Sequence, residues 1–381
     1  MHLSLARRCR RMKGWLWWLI GVGWFSGRAL MAQVSSPRIG LFQPAERTNP
    51  VTYDLSAQLV FTPPVGTKVA HVWIVKPPAD AGQEVLAFET DPKPTLEAPD
   101  PLYGNHLVYF RLDNPEGAQV IRYRLKIRVW ELHWNLDPTK VGAFLEASMP
   151  EWLRSESRVV ADDPRIRAIA QKVAGDATEP FERVRRILQF VMDTMTYSHG
   201  ECSLQASALH ALTERIGHCS DYHGVATALL RSIGIPARVT YGINPFKRRS
   251  PSHCKLEVFL PPYGWVPFDL SETDKVLEQL AKSDLPAEVK AQRREAVLRW
   301  LFSGFRDNTW YRVTIGTDFP VVPPVAPNPP VIRTAYIVCD DKVLPDPDPA
   351  NPNRMEFAWQ LVWDVKPDKA VEFPWSLWLR P

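Results

Sequence analysis

The sequence predicts an α+β protein in which a β-rich N-terminal region precedes a region of mixed helices and strands. The first observation is a sustained alternation of apolar and polar residues over residues 51–61 and 119–130. A period of two is typical of strands with one buried and one solvated face. After about residue 160 the apolar residues follow the spacing of amphipathic helices instead. Alternation returns over residues 355–365, which predicts another strand near the C-terminus.

The length of 381 residues is typical of two or three domains. Residues 33–150 hold alternating segments separated by turns rich in proline, glycine and aspartate, which predicts an antiparallel β-sandwich with a solvated arginine and lysine face. Residues 151–320 are predicted to form an α+β core. Residues 321–381 are predicted to form a proline-rich region with additional β-strands.

Helical and extended segments alternate within the predicted core. The apolar spacing predicts helices over residues 178–195, 219–232 and 286–302. Thr178 is the predicted N-cap of the first of these helices. Strands are predicted at residues 237–243, 254–260 and 264–270.

Residues 1–32 are interpreted as a signal peptide. Five basic residues precede an apolar stretch, "GWLWWLIGVGWFSG", and a small-residue cleavage site follows at Ala32. An apolar stretch of about 14 residues is too short to cross a membrane. We therefore expect an exported protein, periplasmic or extracellular, with no stable membrane span after cleavage. A membrane-anchored protein is the alternative if the leader is not cleaved.

The net charge argues against a nucleic-acid partner. The predicted leader holds six Lys and Arg residues and no acidic residue, so its removal changes the formal net charge from +4 to −2. No stripe of Lys or Arg remains that would attract nucleic acid.

The cysteine content does not indicate a disulfide framework. Four cysteines follow the leader: Cys202, Cys219, Cys254 and Cys339. If Cys219 stays a free thiol, at most one disulfide can form among the other three, and the sequence does not decide which.

Three separated residues are predicted to form a nucleophilic triad. Cys219 stands at a predicted helix start, where unsatisfied N–H groups and the helix dipole favour a thiolate. His253 opens one strand and Asp269 closes the next, with the turn "PPYG" between them. Antiparallel strands joined in this way place His253 and Asp269 side by side, within reach of an imidazole–carboxylate hydrogen bond.

Three stretches of the sequence resemble the transglutaminase-like superfamily. They are Gly217-x-Cys219-x-Asp221-Tyr222 continuing through "ALLRSIGIPAR", His253 with "LEVFL", and "YGWVPFD" ending in Asp269. The resemblance implies a papain-like α+β core, often preceded by a β-domain in bacterial members. It also implies acyl transfer through a cysteine thioester, which includes transglutamination and amide or peptide hydrolysis.

The resemblance also assigns roles to the triad residues. Cys219 becomes the nucleophile, His253 the general base and acid, and Asp269 the group that orients the imidazole. Neither a metal nor a cofactor is implied. The backbone N–H of Cys219 is the expected oxyanion donor, and Tyr197 is a weaker side-chain candidate.

Several residues depart from the family pattern. Cys254 follows His253 where alanine or an aromatic residue is usual, His223 replaces a small residue, and Leu270 replaces a common proline. His223 is either a second imidazole in the site or a partly buried helix residue. His218 is interpreted as a solvated loop residue.

Two other classes of protein are alternatives to the enzyme. The first is a catalytically inactive binding module at the cell surface. The second is a zinc protein with ligands among His218, Cys219, His223, His253 and Cys254. Their spacing matches no usual zinc pattern, and strand alternation should point Cys254 away from His253. A calcium loop at residues 346–356 lacks the required glycine, and a solvated loop is preferred there.

The expected partner is a protein or peptide substrate, with a cell-wall peptide as one candidate. Hydrolysis is favoured over cross-linking because nothing in the sequence specifies a site for an amine acceptor. The substrate itself stays open.

Overall fold

The computed structural model describes most of the chain after the predicted leader. The described residues are 45–144, 149–198, 207–246, 252–347 and 358–380. The predicted signal peptide, Cys202 and most of the calcium-loop candidate lie outside them.

Strands and helices follow one another in chain order. The strands are β1 (Glu46–Phe61), β2 (Val69–Lys76), β3 (Gln83–Asp91), β4 (Leu96–Pro99), β5 (His106–Asp113), β6 (Gln119–His133), β7 (Thr196–Tyr197), β8 (Ile216–Gly217), β9 (Ala237–Ile243), β10 (Ser252–Leu260), β11 (Gly264–Phe268), β12 (Phe305–Arg306), β13 (Tyr311–Ile315), β14 (Ala335–Cys339), β15 (Lys342–Val343) and β16 (Gln360–Pro367). The α-helices are α1 (Pro164–Ala174), α2 (Pro180–Thr194), α3 (Ala208–Glu214), α4 (Cys219–Ser232), α5 (Leu270–Lys282) and α6 (Ala287–Phe302). Within the described residues, no helix is long and apolar enough to span a membrane.

Two antiparallel sheets are built on the N-terminal strands. One has the order β12-β6-β1-β16, with β3 also paired to β6, and the other has the order β15-β14-β2-β5-β4. Their facing side chains share hydrophobic clusters, which contain Tyr53 and Leu125 from the first sheet and Trp73 and Tyr109 from the second. The additional C-terminal strands that the sequence predicts are therefore present, and they complete both N-terminal sheets.

The alternation in the sequence matches the burial observed in β1 and β6. The apolar positions from Val51 to Phe61 are buried, and the basic residues of β6 lie on the opposite, solvated face. Arg124 on this face forms an ion pair with Asp54 of β1, 2.6 Å between Nη2 and Oδ2. Exposed pairs of this kind contribute only about 0–1 kcal/mol to stability.

The core sheet and a central helix place the candidate active site. The sheet has the antiparallel order β11-β10-β9-β13, and α4 packs across β10 and β9. Every residue of α4 from Cys219 to Arg231 is buried, since α1, α2, α3 and α5 surround the face turned away from the sheet. A helix buried on all sides is a central element rather than a surface one.

A buried ion pair holds the C-terminal end of α4. Arg231 donates from Nη1 to Glu156 Oε1 at 3.0 Å and from Nε to the carbonyl of Ala237 at 2.7 Å. Both charged side chains are almost fully buried. The arginine of the "ALLRSIGIPAR" motif therefore joins α4, the start of β9 and the loop before α1.

The predicted elements agree with the structure except at some boundaries and omissions. The helix predicted from Thr178 begins at Pro180, and Glu179 occupies its N-cap position without a side-chain hydrogen bond. The sequence reasoning missed α5, which follows Asp269 directly. The pattern Asp269-x-x-Glu272 is a sequence signal for a helix start. In the structure Asp269 is the N-cap of α5 and accepts a hydrogen bond from the Glu272 N–H.

Gly242 of β9 lies in a tightly packed part of the core sheet. It pairs with His253 of β10, and a Cβ at this position would lie 2.2 Å from the Tyr311 carbonyl oxygen and 2.4 Å from the Trp310 ring. We predict that Gly242→Ala lowers the free energy of unfolding by about 1–3 kcal/mol, because the new methyl group must displace this packing. Urea unfolding measures the change. Gly142→Ala is the matched control, since its nearest neighbour would lie at 3.8 Å. Equal stability of the two variants would contradict the prediction.

Candidate active site

Cys219 is the first residue of α4, and the preceding motif shapes this helix start. The N–H of His218, the N-cap, donates to Asp221 Oδ2 at 3.0 Å. The Asp221 side chain folds back so closely that a Cβ on Gly217 would lie 2.5 Å from it. Gly-x-Cys-x-Asp is thus a local unit in which glycine leaves room for the carboxylate that caps the helix. The unit presents Cys219 at the positive end of the helix dipole.

His253 and Asp269 lie side by side, as the argument from their strands predicted. Leu256 pairs with Phe268 across β10 and β11, which brings the start of β10 next to the end of β11. The His253 Nε2–H donates to Asp269 Oδ2 at 2.7 Å, and both side chains are buried. Nδ1, the second ring nitrogen of His253, is not used by Asp269 and is available to the Cys219 thiol.

The electrostatic setting favours a thiolate–imidazolium pair. Burial lowers the pKa of His253, but the adjacent Asp269 carboxylate and the Cys219 sulfur outweigh burial and raise this pKa to about 9. A hydrogen bond with Cys254 is the largest cause that brings the pKa of Cys219 well below its ordinary range. Burial opposes this effect, whereas His218 and His253 add to it. Both shifts favour a thiolate on Cys219 and an imidazolium on His253 at neutral pH.

The Asp269 carboxylate binds the backbone of α5 and the Lys255 side chain in addition to the His253 imidazole. Its Oδ1 accepts the Glu272 N–H at 3.1 Å, while Oδ2 also accepts from Lys255 Nζ at 3.1 Å. Lys255 Nζ in turn lies 2.5 Å from Asp307 Oδ2. Burial by itself would raise the pKa of Asp269, but the charges of His253 and Lys255 hold it well below its usual range. The orienting carboxylate is thus kept ionised.

Sequence reasoning missed Lys255, Asp307 and Trp310. Lys255 follows His253 by two residues on the same strand, so period-two alternation could have placed both on one face. Trp310 donates its indole N–H to the His253 carbonyl at 3.1 Å, and the Lys255 ammonium lies 5.3 Å from the centre of the Trp310 ring. Trp310 thus holds the backbone at His253, and Lys255 neutralises the buried carboxylates of Asp269 and Asp307. No local signal in the sequence pointed to Trp310 or Asp307.

The second imidazole candidate, His223, is part of this site. Its side chain is fully buried on α4, and its ring centre lies 6.3 Å from that of His253. Nε2 accepts the Leu270 N–H at 3.0 Å, and Nδ1 lies 3.6 Å from Cys254 Sγ. Burial lowers the pKa of His223 to about 4, so its ring is neutral at physiological pH.

One expectation about a neighbouring residue was wrong. His218 is buried rather than solvated, because its N-cap position brings Nδ1 to 3.2 Å from Asp221 Oδ2. The Cys254 side chain contacts α4, where its Sγ lies 3.6 Å from His223 Nδ1. The N-terminal end of α4 lies against the first residues of β10, where it can meet neighbouring positions of that strand.

Tyr197 lies beside the strand that leads to Cys219. It belongs to β7, which pairs in parallel with β8 so that Tyr197 stands opposite Gly217. The Ser198 N–H donates to the Gly217 carbonyl at 2.8 Å. The structure thus places Tyr197 beside the strand that precedes Cys219, and its role at an oxyanion stays a prediction.

Cys219, Cys254 and Cys339 are free thiols, and any pairing of Cys202 lies outside the described residues. In the part of the chain that the structure describes, no three His, Cys, Asp or Glu side chains are grouped to hold a metal ion. The acidic member of the calcium-loop candidate that is described, Asp346, accepts a hydrogen bond from the Trp359 indole at 3.3 Å.

Comparisons with known proteins show what the core of this chain is similar to. Residues 167–270, which span α1 to the start of α5, match the family model of the transglutaminase-like superfamily. This match includes all three triad residues and confirms the resemblance found in the sequence. The core of this chain is therefore transglutaminase-like.

Solved structures show that the likeness of fold extends beyond the core. A crystal structure from Cytophaga hutchinsonii, described as a candidate cysteine protease, superposes with a TM-score of 0.53 at 14% identity. The alignment covers 87% of this chain and 95% of that chain, so the α+β fold with its flanking sheets is shared. The periplasmic domain of TgpA from Pseudomonas aeruginosa is 18% identical over 68% of this chain and 77% of that domain. Its TM-score of 0.31 is too low to support an inference.

A relative in Haemophilus influenzae, a protein without an assigned function, is 24% identical over 198 residues. The alignment covers 45% of this chain and 52% of the relative. The chain thus matches about half the length of this curated relative.

The buried Lys255 is predicted to be essential for stability. Lys255→Met would leave the Asp269 and Asp307 carboxylates buried without their shared ammonium group. Breaking a buried ion pair in this way costs about 3–5 kcal/mol. Urea unfolding at neutral pH measures the loss, with Lys126→Met on the solvated face of β6 as the matched control. A variant at position 255 as stable as the control would show that the carboxylates do not depend on Lys255.

Proposed function

We propose that this protein is a thiol-dependent acyl-transfer enzyme that hydrolyses amide or peptide bonds through a thioester on Cys219. One observation carries the proposal: Cys219 begins a helix, and the imidazole that acts on its thiol, that of His253, donates to the buried Asp269 carboxylate at 2.7 Å. This arrangement lowers the pKa of the thiol and orients its acid–base partner. The match of residues 167–270 to the transglutaminase-like superfamily supports the same chemistry.

The first half of the reaction follows from the protonation states. The Cys219 thiolate attacks the carbonyl carbon of the amide and forms a tetrahedral intermediate. The backbone N–H of Cys219 is the donor proposed to stabilise its oxyanion. When the C–N bond breaks, the His253 imidazolium gives a proton to the leaving amine, and the acyl group remains on the sulfur as a thioester.

The second half restores the enzyme. Neutral His253 takes a proton from an attacking water as the water oxygen bonds to the thioester carbonyl. The C–S bond then breaks, the carboxylic acid product leaves, and Cys219 returns as a thiolate beside an imidazolium. Asp269 stays ionised throughout and holds the ring in place through Nε2. An amine in place of water would give transglutamination, but no acceptor site has been assigned.

The proposed substrate is a protein or peptide, encountered outside the cytoplasm. Export is inferred from the leader-like residues 1–32. The description of the Cytophaga hutchinsonii structure as a candidate cysteine protease agrees with a peptide substrate. A cell-wall peptide is one candidate.

The reactivity of Cys219 tests the proposal without a known substrate. We predict that iodoacetamide alkylates Cys219 at a rate that is already maximal below pH 7, because the thiolate is present there. His253→Ala should reduce the rate at pH 6 by about tenfold or more, since the imidazolium that stabilises the thiolate is lost. Peptide mass spectrometry assigns the labelled cysteine, and Cys219→Ala gives the background. A rate that rises only near pH 8.5 in both proteins would favour the inactive binding module instead.

The pH dependence of turnover gives a second test, on any amide substrate found by screening. The raised pKa of His253 predicts that activity falls as the pH rises through about 9, because the imidazolium loses the proton required by the leaving amine. Cys219→Ala should abolish turnover while leaving the thermal unfolding midpoint nearly unchanged. Residual turnover in Cys219→Ala would show that another group is the nucleophile.

A further inference from the structure

We propose that His223 is a positioning residue, which holds the backbone of Asp269, and with it the carboxylate that orients His253, against the helix that carries Cys219. The inference rests on the proposed function, because it gives a role in the same active site to a residue that departs from the pattern of the resembling family. His223 lies on α4 one turn after Cys219, and its side chain is fully buried. Its two ring nitrogens contact the residues that directly follow His253 and Asp269.

The first of these contacts is at the start of α5. The first N–H groups of a helix have no carbonyl partner within that helix and need another acceptor. The Glu272 N–H donates to Asp269 Oδ1 at 3.1 Å, and the Thr273 N–H donates to the Asp269 carbonyl at 3.2 Å. The Leu270 N–H instead donates to His223 Nε2 at 3.0 Å. Because this N–H belongs to the peptide group that joins Asp269 to Leu270, the hydrogen bond fixes the backbone that carries the carboxylate.

The hydrogen bond from Leu270 also determines which nitrogen of His223 carries the proton. A nitrogen that accepts a hydrogen bond is unprotonated, so the proton of the neutral ring is on Nδ1. Burial lowers the pKa of His223 to about 4, which keeps the ring neutral at physiological pH. The Nδ1–H group is therefore directed to its neighbour at 3.6 Å, the Cys254 sulfur. Each nitrogen of the ring thus has a partner, one on α5 and one on β10.

These contacts join the three elements that carry the triad. His253 and Asp269 bind each other directly at 2.7 Å. The residues that follow them, Cys254 and Leu270, both contact His223 on α4, the helix that begins with the nucleophile. The His223 imidazole therefore connects the first residues of β10 and of α5 to the N-terminal part of α4. Such a connection matters to the reaction, because the carboxylate orients the imidazole of His253 only while the two stay within hydrogen-bond reach.

His223 acts on Asp269 through the backbone and not through its charge. His223 Nε2 lies 3.8 Å from Asp269 Oδ1, which is beyond the range of a hydrogen bond. The titratable and charged groups that act on His223 and His253 are the two imidazoles themselves, Asp269, Lys255 of β10 with its partner Asp307, and Cys219 of α4. Because His223 is neutral, a neutral replacement removes none of these charges. A change in the pKa of His253 in such a variant would then report a change in the position of its carboxylate partner.

The experiment measures the pKa of His253 by NMR, from the pH dependence of its imidazole resonances. The parent of the series is the full-length protein with Cys219→Ala, so that titration of this thiol does not contribute, and His253→Ala identifies the resonances. His223→Leu should lower the pKa of His253 by about one unit, because the buried Leu270 N–H loses its acceptor and the carboxylate partner of His253 moves. His223→Gln should keep the parent pKa, since its amide oxygen can accept the same N–H.

Thr227→Val is the matched control on the same helix. Thr227 lies one turn beyond His223, and its buried hydroxyl donates to the His223 carbonyl at 2.7 Å. The variant loses a buried hydrogen bond but keeps the acceptor of the Leu270 N–H, so it should leave the pKa of His253 unchanged whatever its thermal unfolding midpoint. A similar fall of this pKa in Thr227→Val and in His223→Leu would indicate general packing and overturn the positioning role. An unchanged pKa in His223→Leu would overturn it as well.

The tautomer of His223 is read from the same spectra. Its nitrogen chemical shifts should show a neutral ring that is protonated on Nδ1 from about pH 5 to about pH 8. A ring protonated on Nε2, or a charged ring in this range, would overturn the proposal, because neither can accept the Leu270 N–H.

A shorter amide keeps the test decisive if His223→Leu does not fold, as judged by its thermal unfolding. The side chain of His223→Asn is one methylene shorter than that of His223→Gln, so its amide oxygen does not reach the Leu270 N–H. A lowered pKa of His253 in the Asn variant, with the parent value in the Gln variant, supports the proposal, and equal values in the two overturn it.

The proposed function is judged separately from the role of His223. Alkylation of Cys219 only near pH 8.5 in the unmodified protein would overturn the proposed function. The titration of His253 would still decide whether His223 positions Asp269, because that measurement does not depend on the reactivity of the thiol.

Discussion

The candidate active site depends on one buried carboxylate that is shared between secondary structure and chemistry. Asp269 uses one oxygen to cap α5 and the other to hold the imidazole of His253. An ionised carboxylate would be costly to bury without partners. The ammonium group of Lys255 and the Glu272 N–H at the start of α5 stabilise this buried charge. The start of α5, the pairing of β10 with β11 and the orientation of the His253 imidazole therefore all depend on the same carboxylate.

The position of Cys219 is likewise fixed by contacts at both ends of α4. Cys219 is presented by the N-terminus of a helix whose first turn is closed by Asp221, and Gly217 leaves the space for that closure. The helix is central to the core and is held at its far end by the buried pair of Arg231 and Glu156. Packing on both faces of α4 fixes the position of Cys219 relative to the sheet that carries His253. Preorganisation of this kind is what thiol catalysis requires.

The two N-terminal sheets enclose a hydrophobic core that the C-terminal strands complete. β16 pairs with the second half of β1, and β14 pairs with β2, so strands far apart in the sequence lie side by side in the same sheets. β12 extends the β6 sheet and β13 extends the core sheet, and only a short segment separates them. That segment, residues 307–310, contains Asp307 and Trp310, so both supporting residues of the site come from the junction between the sheets.

The sequence by itself determined the elements whose signals are local. Period-two alternation predicted β1, β6 and the C-terminal strand, apolar spacing predicted α2 and α4, and a short turn predicted that His253 and Asp269 are neighbours. Lys255, Asp307, Trp310 and the His223–Cys254 contact were decided by the tertiary structure, as was the burial of His218. The physical reason is that these side chains become partners only when α4, α5 and the β12–β13 segment pack around β10. The sequence around a charged or thiol side chain does not indicate which distant residue will become its partner.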